Sequence, residues 1–381
     1  MNIKYILSHP IHYQVALIKF LLKKGIKIKV LYRSNMHTKK FYDPGFSRKI
    51  NIATNVLKGY KYEFLRFIGP NKVGVIYPIT VEFRSKIFDQ KTDIIWVHGI
   101  KNWYNLFLII VAKFYKKKVF VRDEVYHKRK NRSFFNMFFN HIFYLFIDNF
   151  IDIYLAIGSQ NKKYYLDQKI SKNKIVMLPY VVDNNFFKKK KIKPIKKIKF
   201  LFAGKLIERK GPDLLLKAIK ILKKTSNLNS SYSFFIVGDG ILKKKLINFV
   251  KINRLNNVKF LSFKNQKNLA LIYKSTDVFI MPSTREPWGL TVNEAMASGN
   301  AIISSDNVGS SYDLVKGGRN GFTFKNNSAE DLAKKILRIS KNKKKLRILK
   351  SNSLKIISKW DFETCYLGLK KSIKIVKKLL P

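Results

Sequence analysis

The sequence is poor in cysteine, in acidic residues and in long apolar runs. Its single cysteine, Cys365, excludes an internal disulfide. No apolar run reaches the roughly 18 to 20 residues that a membrane-spanning helix needs. The first apolar run is broken at His9 and Pro10 before the core of a signal peptide develops. We therefore expect a cytoplasmic protein that is not an integral membrane protein.

The shortage of acidic residues gives the chain a large positive charge. Asp and Glu number 23 against 77 Lys and Arg, so the formal charge at pH 7 is +54. Such a charge attracts nucleic acids and anionic membranes. The lysines, however, are spread over the whole chain, and no helix-turn-helix, zinc pattern or RNP-like strand accompanies them. We expect no nucleic-acid partner, whereas attraction to acidic phospholipids, at about 1 kcal/mol per nearby cation, stays open.

Apolar periodicity predicts an α/β protein. Residues 3–8 and 26–32 read as strands on either side of a helix at 11–24, which is a βαβ opening. From residue 198 onward strands, the first two at 198–203 and 232–237, alternate with helices, and this predicts a parallel sheet with helices on both faces. A chain of 381 residues is long enough for about two domains. The predicted divisions are an N-terminal domain at 1–187, a Lys-rich linker at 188–197, a second domain at 198–358 and a final helical segment at 359–381.

The stretch 286–300, EPWGLTVNEAMASGN, follows a buried apolar strand and predicts a loop and then a short helix that ends at Gly299. The first turn of such a helix has free backbone N–H groups and attracts an anion such as a diphosphate. Glu286 and Glu294 flank this position and can accept hydrogen bonds from hydroxyl groups. The alternative is that both carboxylates only complement the helix N-terminus.

The whole string resembles the donor-site signature of glycosyltransferase family 4. Further matching segments follow in order: FAGKLIERKG at 202–211, FFIVGDG at 234–240, VKFLSF at 258–263, DVFIMPS at 277–283 and GGRNGFTF at 317–324. The resemblance covers residues 198–340 densely. It implies the GT-B fold, two Rossmann-like domains with parallel sheets facing a central cleft. It also implies that the N-terminal domain binds the acceptor and that the last helix crosses back to that domain.

The resemblance also assigns the donor site. It implies that Glu294 binds the ribose hydroxyls and that Glu286 binds those of the donor sugar. The phosphates would meet the backbone of Gly289, Leu290 and Thr291. Lys205 and Lys210, in the turn that begins at Gly204, would stabilise the leaving diphosphate. The family usually has Arg in place of Lys205. This residue therefore offers the compact charge of an ammonium instead of a guanidinium that can donate two parallel hydrogen bonds.

Candidates on the acceptor side lie at strand ends in the N-terminal half. His98 ends the strand at 93–99, where family members often have a histidine near the transferred sugar, and a near-neutral pKa would let it exchange a proton. His9 and His12 lie in a loop where many family members carry a glycine pair, and capping or packing is their alternative role. Asp123 and Glu124 follow the strand at 118–121 and could bind or deprotonate an acceptor hydroxyl, or form a solvated turn.

These observations predict a retaining glycosyltransferase that moves a sugar from a nucleotide-diphosphate sugar to a glycan or lipid-linked acceptor of the cell envelope. No Asp-x-Asp occurs, so we expect no obligatory metal and no other cofactor. An apolar helix at 134–148, behind the basic segment 127–132, is either core or an interfacial helix at the inner face of the plasma membrane. The alternatives are a basic binding protein without transferase activity, or another GT-B enzyme such as a phosphorylase or an epimerase.

Overall fold

The structure is a computed structural model that describes residues 1–36, 38, 41–50, 56–71, 73–82, 84–126, 134–188, 194–225 and 232–378. Its strands are β1 (Asn2–Leu7), β2 (Lys27–Tyr32), β3 (Phe41–Asp43), β4 (Arg48–Ile50), β5 (Tyr62–Phe64), β6 (Phe67–Ile68), β7 (Ile79–Thr80), β8 (Ile94–His98), β9 (Lys118–Arg122), β10 (Ile153–Ala156), β11 (Ile175–Met177), β12 (Ile198–Ala203), β13 (Tyr232–Val237), β14 (Val258–Leu261), β15 (Val278–Met281), β16 (Ala301–Ser305) and β17 (Gly321–Phe324). Its helices are α1 (His12–Lys23), α2 (Arg84–Ile87), α3 (Trp103–Phe114), α4 (Phe134–Ile147), α5 (Ser159–Asp167), α6 (Asn184–Phe187), α7 (Pro212–Thr225), α8 (Lys243–Ile252), α9 (Gln266–Ser275), α10 (Leu290–Ala297), α11 (Gly309–Leu314), α12 (Ala329–Ser340), α13 (Lys343–Ile357) and α14 (Phe362–Lys377).

The chain divides into two compact units. The first comprises Met1–Phe41, Asn51–Val181 and Phe362–Pro381, and the second comprises Tyr42–Ile50 and Val182–Asp361. The division near residue 181 falls inside the range predicted for the first domain. Half of the predicted linker, residues 189–193, lies outside the described residues.

The first unit is built on a seven-stranded sheet in the order β11-β10-β9-β8-β1-β2-β5. Its paired strands are parallel. The strand β8 reads IIWVH and is buried up to His98, as expected for a strand covered on both faces. Chain order reverses direction between β1 and β8, so this pair marks the position where open α/β sheets bind ligands.

The C-terminal helix α14 belongs to the first unit. It contacts α1 and β11, and its Lys24–Glu363 ion pair at 2.7 Å joins it to the end of α1. At Gly368 the approach is so close that a Cβ atom would lie 2.2 Å from the carbonyl oxygen of Met177. Only glycine therefore fits this helix position.

The second unit is built on a six-stranded parallel sheet in the order β14-β13-β12-β15-β16-β17. Its core contains the buried residues of the strands together with the apolar faces of α7 and α12. Both helices are amphipathic, so one face of each packs against the sheet. Chain order reverses between β12 and β15. The loops that follow these two strands therefore border the crevice in which a ligand is expected.

The region 32–60, whose sequence has no clean apolar periodicity, contains the two-stranded sheet of β3 and β4. Residues 44–47 join the strands, and such a short connection requires an antiparallel pair. We call Tyr42–Ile50 the hairpin. It is part of the second unit.

Candidate functional site

The loops after β12, β13 and β15 bring the predicted donor residues of the second unit together. Gly204 N donates to Val237 O at 3.0 Å and Leu206 N donates to Asp239 O at 2.9 Å, which joins the first two loops. A Cβ atom on Gly238 would lie 1.9 Å from the carbonyl oxygen of Gly204, so this approach requires glycine. The backbone of the β12 loop, which carries Lys205, is thereby fixed.

Glu286 lies between two cations. Its Oε2 atom accepts from Lys210 Nζ at 2.5 Å and from Arg209 Nη1 at 2.9 Å. Lys210 ends a short 3-10 turn, and the following Gly211 has φ +66 and leaves no room for a Cβ beside Pro282 O, 2.2 Å away. Two cations facing one carboxylate leave one positive charge uncompensated within this trio, which suits an anionic ligand.

The helix α10 begins beside this trio. Its N-cap is Gly289, with φ +95, and a Cβ there would lie 3.3 Å from Glu286 Cγ. Leu290 and Thr291 form the first turn and are half-buried. The first N–H groups of a helix have no partner within the helix, so those of α10 can bind an anion. Gly299, predicted to end the helix, has φ +73 and does so.

Glu294 is buried within α10, with 7% of its surface exposed. Its Oε2 accepts a hydrogen bond from the hydroxyl of Tyr273 at 3.1 Å. Burial raises the pKa of Glu294 to about 7, and the Tyr273 hydrogen bond opposes this rise. The carboxyl is therefore partly protonated near neutral pH, a property that the sequence did not reveal.

Lys205 and Lys210 have different ion-pair partners, but the charge of Lys205 affects the pKa of Lys210. The ammonium of Lys205 donates to both carboxylate oxygens of Asp43, at 2.8 and 2.9 Å. Burial lowers the pKa of Lys210, Glu286 opposes the change, and the positive charges of Arg209 and Lys205 add to it. The two lysines predicted to act on one diphosphate are thus close enough to influence each other.

In the first unit His98 lies at the reversal point of the sheet, at the end of β8. Its Nδ1 is 3.2 Å from the hydroxyl of Tyr5, and its Nε2 is 3.1 Å from that of Tyr180. Burial, with help from the charges of Arg122 and His9, lowers the pKa of His98 to about 3. The near-neutral pKa expected from the sequence is therefore wrong, because the half-buried ring lies beside a guanidinium.

The hydrogen bonds around Tyr180 determine the tautomer of His98. The Tyr180 hydroxyl donates to the exposed carboxylate of Glu124 at 2.7 Å. Because a hydroxyl has a single proton, Nε2 of the neutral His98 ring donates to the Tyr180 oxygen, and Nδ1 is the unprotonated nitrogen. The Tyr5 hydroxyl also donates to Gln14 Oε1 at 3.2 Å, so Gln14 and His98 Nδ1 share its one proton. The result is a chain from Tyr5 through His98 and Tyr180 to Glu124.

The other acceptor-side candidates also belong to the first unit. His9 Nδ1 bonds Ser8 Oγ at 2.9 Å. His12, which falls within the helix predicted at 11–24, is the first residue of α1, and burial lowers its pKa. Asp123 accepts from Glu124 N at 2.7 Å, and burial raises the pKa of Asp123 to about 6.

Several residues contact the predicted site residues although the sequence assigned them no role, and Asp43, Arg209 and Tyr180 are among them. Asp43 lies in a DPGF segment far from the donor motif, Arg209 lies next to Lys210, and Tyr180 follows the last strand of the first unit. Only Arg209 carried a usable signal, because its neighbour in sequence was already assigned to the diphosphate. The other two require the fold.

The second unit also contains a cavity of about 500 Å³. Its walls come mainly from α7 and α8, and it includes Gly211 and Thr284 but not Lys205, Lys210, Glu286 or Glu294. Among the described residues, no three His, Cys, Asp or Glu side chains lie together as metal ligands would. Within the same ranges, no helix has the length and apolar character to cross a bilayer.

Comparison with known proteins agrees with this geometry. Residues 183–355 match the family profile of glycosyl transferases group 1. The chain is 31% identical over 171 residues to an uncharacterized glycosyltransferase of Methanocaldococcus jannaschii, covering 45% of this chain and 46% of that protein. It is 29% identical over 193 residues to a GalNAc-GalNAc-diNAcBac-PP-undecaprenol N-acetyl-D-galactosaminyltransferase of Campylobacter jejuni, covering 49% of this chain and 50% of that protein. The matched segment thus spans about half the length of these relatives.

The fold has a counterpart among solved structures. Anabaena HepE in complex with UDP superimposes with a TM-score of 0.74 at 17% identity, over 98% of this chain and all of that one. At this identity the likeness shows the fold, and the predicted GT-B class, with two parallel α/β sheets, is confirmed. The match to the glycosyl transferases group 1 family lies within residues 183–355, a little under half of the chain.

Proposed function

We propose that this protein is a retaining glycosyltransferase of family 4 type, with a nucleotide-diphosphate sugar as donor. The observation that carries the proposal is the convergence of Lys210, Arg209 and Glu286 with the first turn of α10 at the β12/β15 reversal point. A cationic group beside a helix N-terminus suits a diphosphate. The UDP bound to HepE supports this class of ligand.

Each donor group has a chemical role. The diphosphate binds the N–H groups of Gly289, Leu290 and Thr291. Lys210, assisted by Lys205, stabilises the charge that grows on the departing diphosphate oxygen. Glu286 keeps lone pairs beyond those used by its two cations, and these accept the hydroxyls of the donor sugar. Glu294 accepts the ribose hydroxyls.

Retention follows from the groups available. Glu286, the two lysines and α10 all surround the donor, so the diphosphate oxygen is the nearest base. As the C1–oxygen bond to the diphosphate breaks, the acceptor oxygen forms its bond to C1 on the same face and passes its proton to that diphosphate oxygen. The sequence lacks Asp-x-Asp, so we propose that lysines and backbone N–H groups supply the positive charge that other enzymes take from a metal.

The first unit would supply the acceptor groups. Glu124 is exposed and is oriented by Tyr180, which His98 holds in turn. Since His98 is neutral at physiological pH, it acts as a hydrogen-bond partner and not as an acid. Asp123, whose pKa is about 6, and Glu124 can then accept hydrogen bonds from a hydroxyl of the glycan.

We propose further that the acceptor is lipid-linked and that α4 rests on an anionic membrane at the inner face of the plasma membrane. The PP-undecaprenol in the name of the Campylobacter relative supports such an acceptor. Apolar side chains cover the outer face of α4 and are at least 46% exposed: Phe135, Met137, Phe138, Phe139, Ile142, Leu145 and Phe146. An exposed apolar helix face on a chain of charge +54 suits acidic head groups. The basic segment 127–132, predicted to assist, lies outside the described residues.

Vesicle co-sedimentation tests the membrane proposal. Replacing Phe135, Phe138 and Phe139 together by serine should abolish binding to vesicles that contain phosphatidylglycerol. A matched control replaces three equally exposed apolar residues of the second unit by serine, namely Ile241, Ile252 and Leu271. Equal binding by the two folded variants would show that α4 does not contact lipid.

The donor assignment is tested with a panel of UDP-, GDP- and ADP-sugars. Free nucleotide release and calorimetric binding should select one base, and Lys210→Ala should weaken both. Lys217→Ala is the control, because Lys217 pairs with Asp213 on the exposed face of α7, 3.7 Å away. If no nucleotide sugar binds the wild-type protein, the proposed function is wrong.

A further inference from the structure

The hairpin Tyr42–Ile50 is attached to the carboxyl ends of β13 and β14. Arg48 Nη1 donates to Asp239 Oδ2 at 2.9 Å, and Asp239 also accepts from Phe263 N at 3.0 Å. The ring of Phe46 meets that of Phe263 edge-on, with centroids 4.8 Å apart. The hairpin is therefore held at the same sheet edge as the donor residues.

Asp43 is fixed by the turn of the hairpin before it meets any partner. Its Oδ1 atom accepts from Gly45 N at 2.8 Å and from Phe46 N at 3.2 Å. This local pattern orients the carboxylate through the backbone. Both carboxylate oxygens then contact Lys205 Nζ, at 2.8 and 2.9 Å. A rigid carboxylate thus holds the end of a flexible four-carbon side chain.

The turn also encloses Lys205 sterically. A Cβ atom on Gly45 would lie 2.6 Å from Lys205 Cδ and 2.9 Å from Nζ, so the lysine passes through space that only glycine leaves open. The ring of Phe46 lies with its centroid 5.1 Å from Nζ, within range of a cation–π contact. Carboxylate, backbone and ring together define the position of the ammonium.

We propose that Asp43 is a positioning residue that holds Lys205 for its action on the leaving diphosphate, an inference that rests on the proposed function. An ammonium has three N–H bonds, and two directed at Asp43 leave one for a phosphate oxygen. The Asp43 charge itself repels a bound diphosphate, so the pair contributes little to ground-state affinity. Its effect is to place one N–H where charge develops as the C1–oxygen bond breaks.

The experiment compares Asp43→Asn with Asp213→Asn, which removes a carboxylate from an exposed ion pair of the same unit. Asp43→Asn should lower kcat by about 10- to 100-fold, since misplacing a catalytic contact by about 1 Å has effects of this size. Its nucleotide Kd should change by less than about threefold, because two effects offset each other. Loss of the fixed position of Lys205 weakens binding, and loss of the Asp43 charge removes a repulsion of the diphosphate. The melting temperature of Asp43→Asn should equal that of the wild type. Asp213→Asn should equal the wild type in kcat, nucleotide Kd and melting temperature.

A second variant and a double mutant make the outcome specific. Gly45→Ala keeps the carboxylate but pushes Lys205 away, so it should lose kcat as Asp43→Asn does. Gly317→Ala, where a Cβ meets nothing within 4 Å, is its control. Adding Asp43→Asn to Lys205→Ala should cause no further loss of kcat.

The possible results separate the two proposals. The positioning role would be overturned if Asp43→Asn lowered kcat as much in the Lys205→Ala variant as in the wild type. It would also be overturned if Asp43→Asn bound nucleotide more tightly and kept its kcat. If Lys205→Ala alters neither nucleotide binding nor turnover, its assignment to the donor site fails first, and the role of Asp43 fails with it.

Discussion

Ionisation of Glu294 should control the affinity for the donor. With a pKa of about 7, the carboxyl is ionised in roughly a tenth of the molecules at about pH 6 and in roughly nine tenths at about pH 8. In the proposed site the ionised carboxylate would accept hydrogen bonds from both ribose hydroxyls, whereas the protonated carboxyl would use one oxygen as a donor and lose an acceptor. The affinity for the selected nucleotide sugar should therefore rise about tenfold over this range.

Calorimetric titration at several pH values measures this rise. The ligand must be a nucleotide sugar and not free UDP, because the terminal phosphate of UDP itself titrates near pH 6, whereas the doubly esterified diphosphate does not. Glu294→Gln should remove the pH dependence and weaken binding at about pH 8 by about 1.5 to 3 kcal/mol. Tyr273→Phe should shift the rise to higher pH, since the hydroxyl of Tyr273 lowers the pKa of Glu294. A rise of equal size in Glu294→Gln would refute the reasoning.

Without ligand the same carboxyl affects stability in the opposite sense. Its folded pKa is raised from 4.5 to about 7, so the stability it contributes is complete below about pH 4.5 and is lost as the pH rises through 7. At about pH 8 Glu294→Gln should exceed the wild type by up to about 3 kcal/mol in the free energy of unfolding. Denaturant titration without nucleotide checks this, and a less stable variant at that pH would contradict it.

Three further predictions concern the reaction itself. Lys210→Ala should lower turnover by about 100-fold or more, measured as nucleotide release, and full activity would mean that the phosphate lies elsewhere. Turnover should persist in excess EDTA, and complete loss restored by Mg²⁺ or Mn²⁺ would refute the metal-free proposal. Proton NMR of the first product from an α-linked donor should show an α-linkage, since a β-glycoside would indicate inversion.

The sequence predicted the second unit well because its signals are local. Strands β12 and β13 were predicted at their observed limits, 198–203 and 232–237, since buried strands of a parallel sheet are continuous apolar runs. Gly299 was predicted as a helix end, because a left-handed residue at that position favours glycine. The motif at 286–300 lies between and within such elements, so its loop and its helix could be predicted from sequence.

The sequence failed where function depends on contacts between distant residues. Asp43 and Lys205 are 162 positions apart, and no periodicity connects them. The low pKa of His98 depends on burial and on Arg122, and neither is encoded within its own strand. The hairpin was missed because strands of three residues are too short for a periodic pattern.

The assignment of α14 to the first unit limits how hybrid enzymes can be assembled. A gene fusion that joins the N-terminal half of one homologue to the C-terminal half of another would pair Met177 with a foreign helix. Gly368 tolerates no Cβ against that carbonyl, so a replacement helix with alanine at this position would collide with the strand. A workable exchange of donor preference therefore transplants the interior segment Val182–Asp361 together with the hairpin Tyr42–Ile50, and keeps the recipient's own last helix.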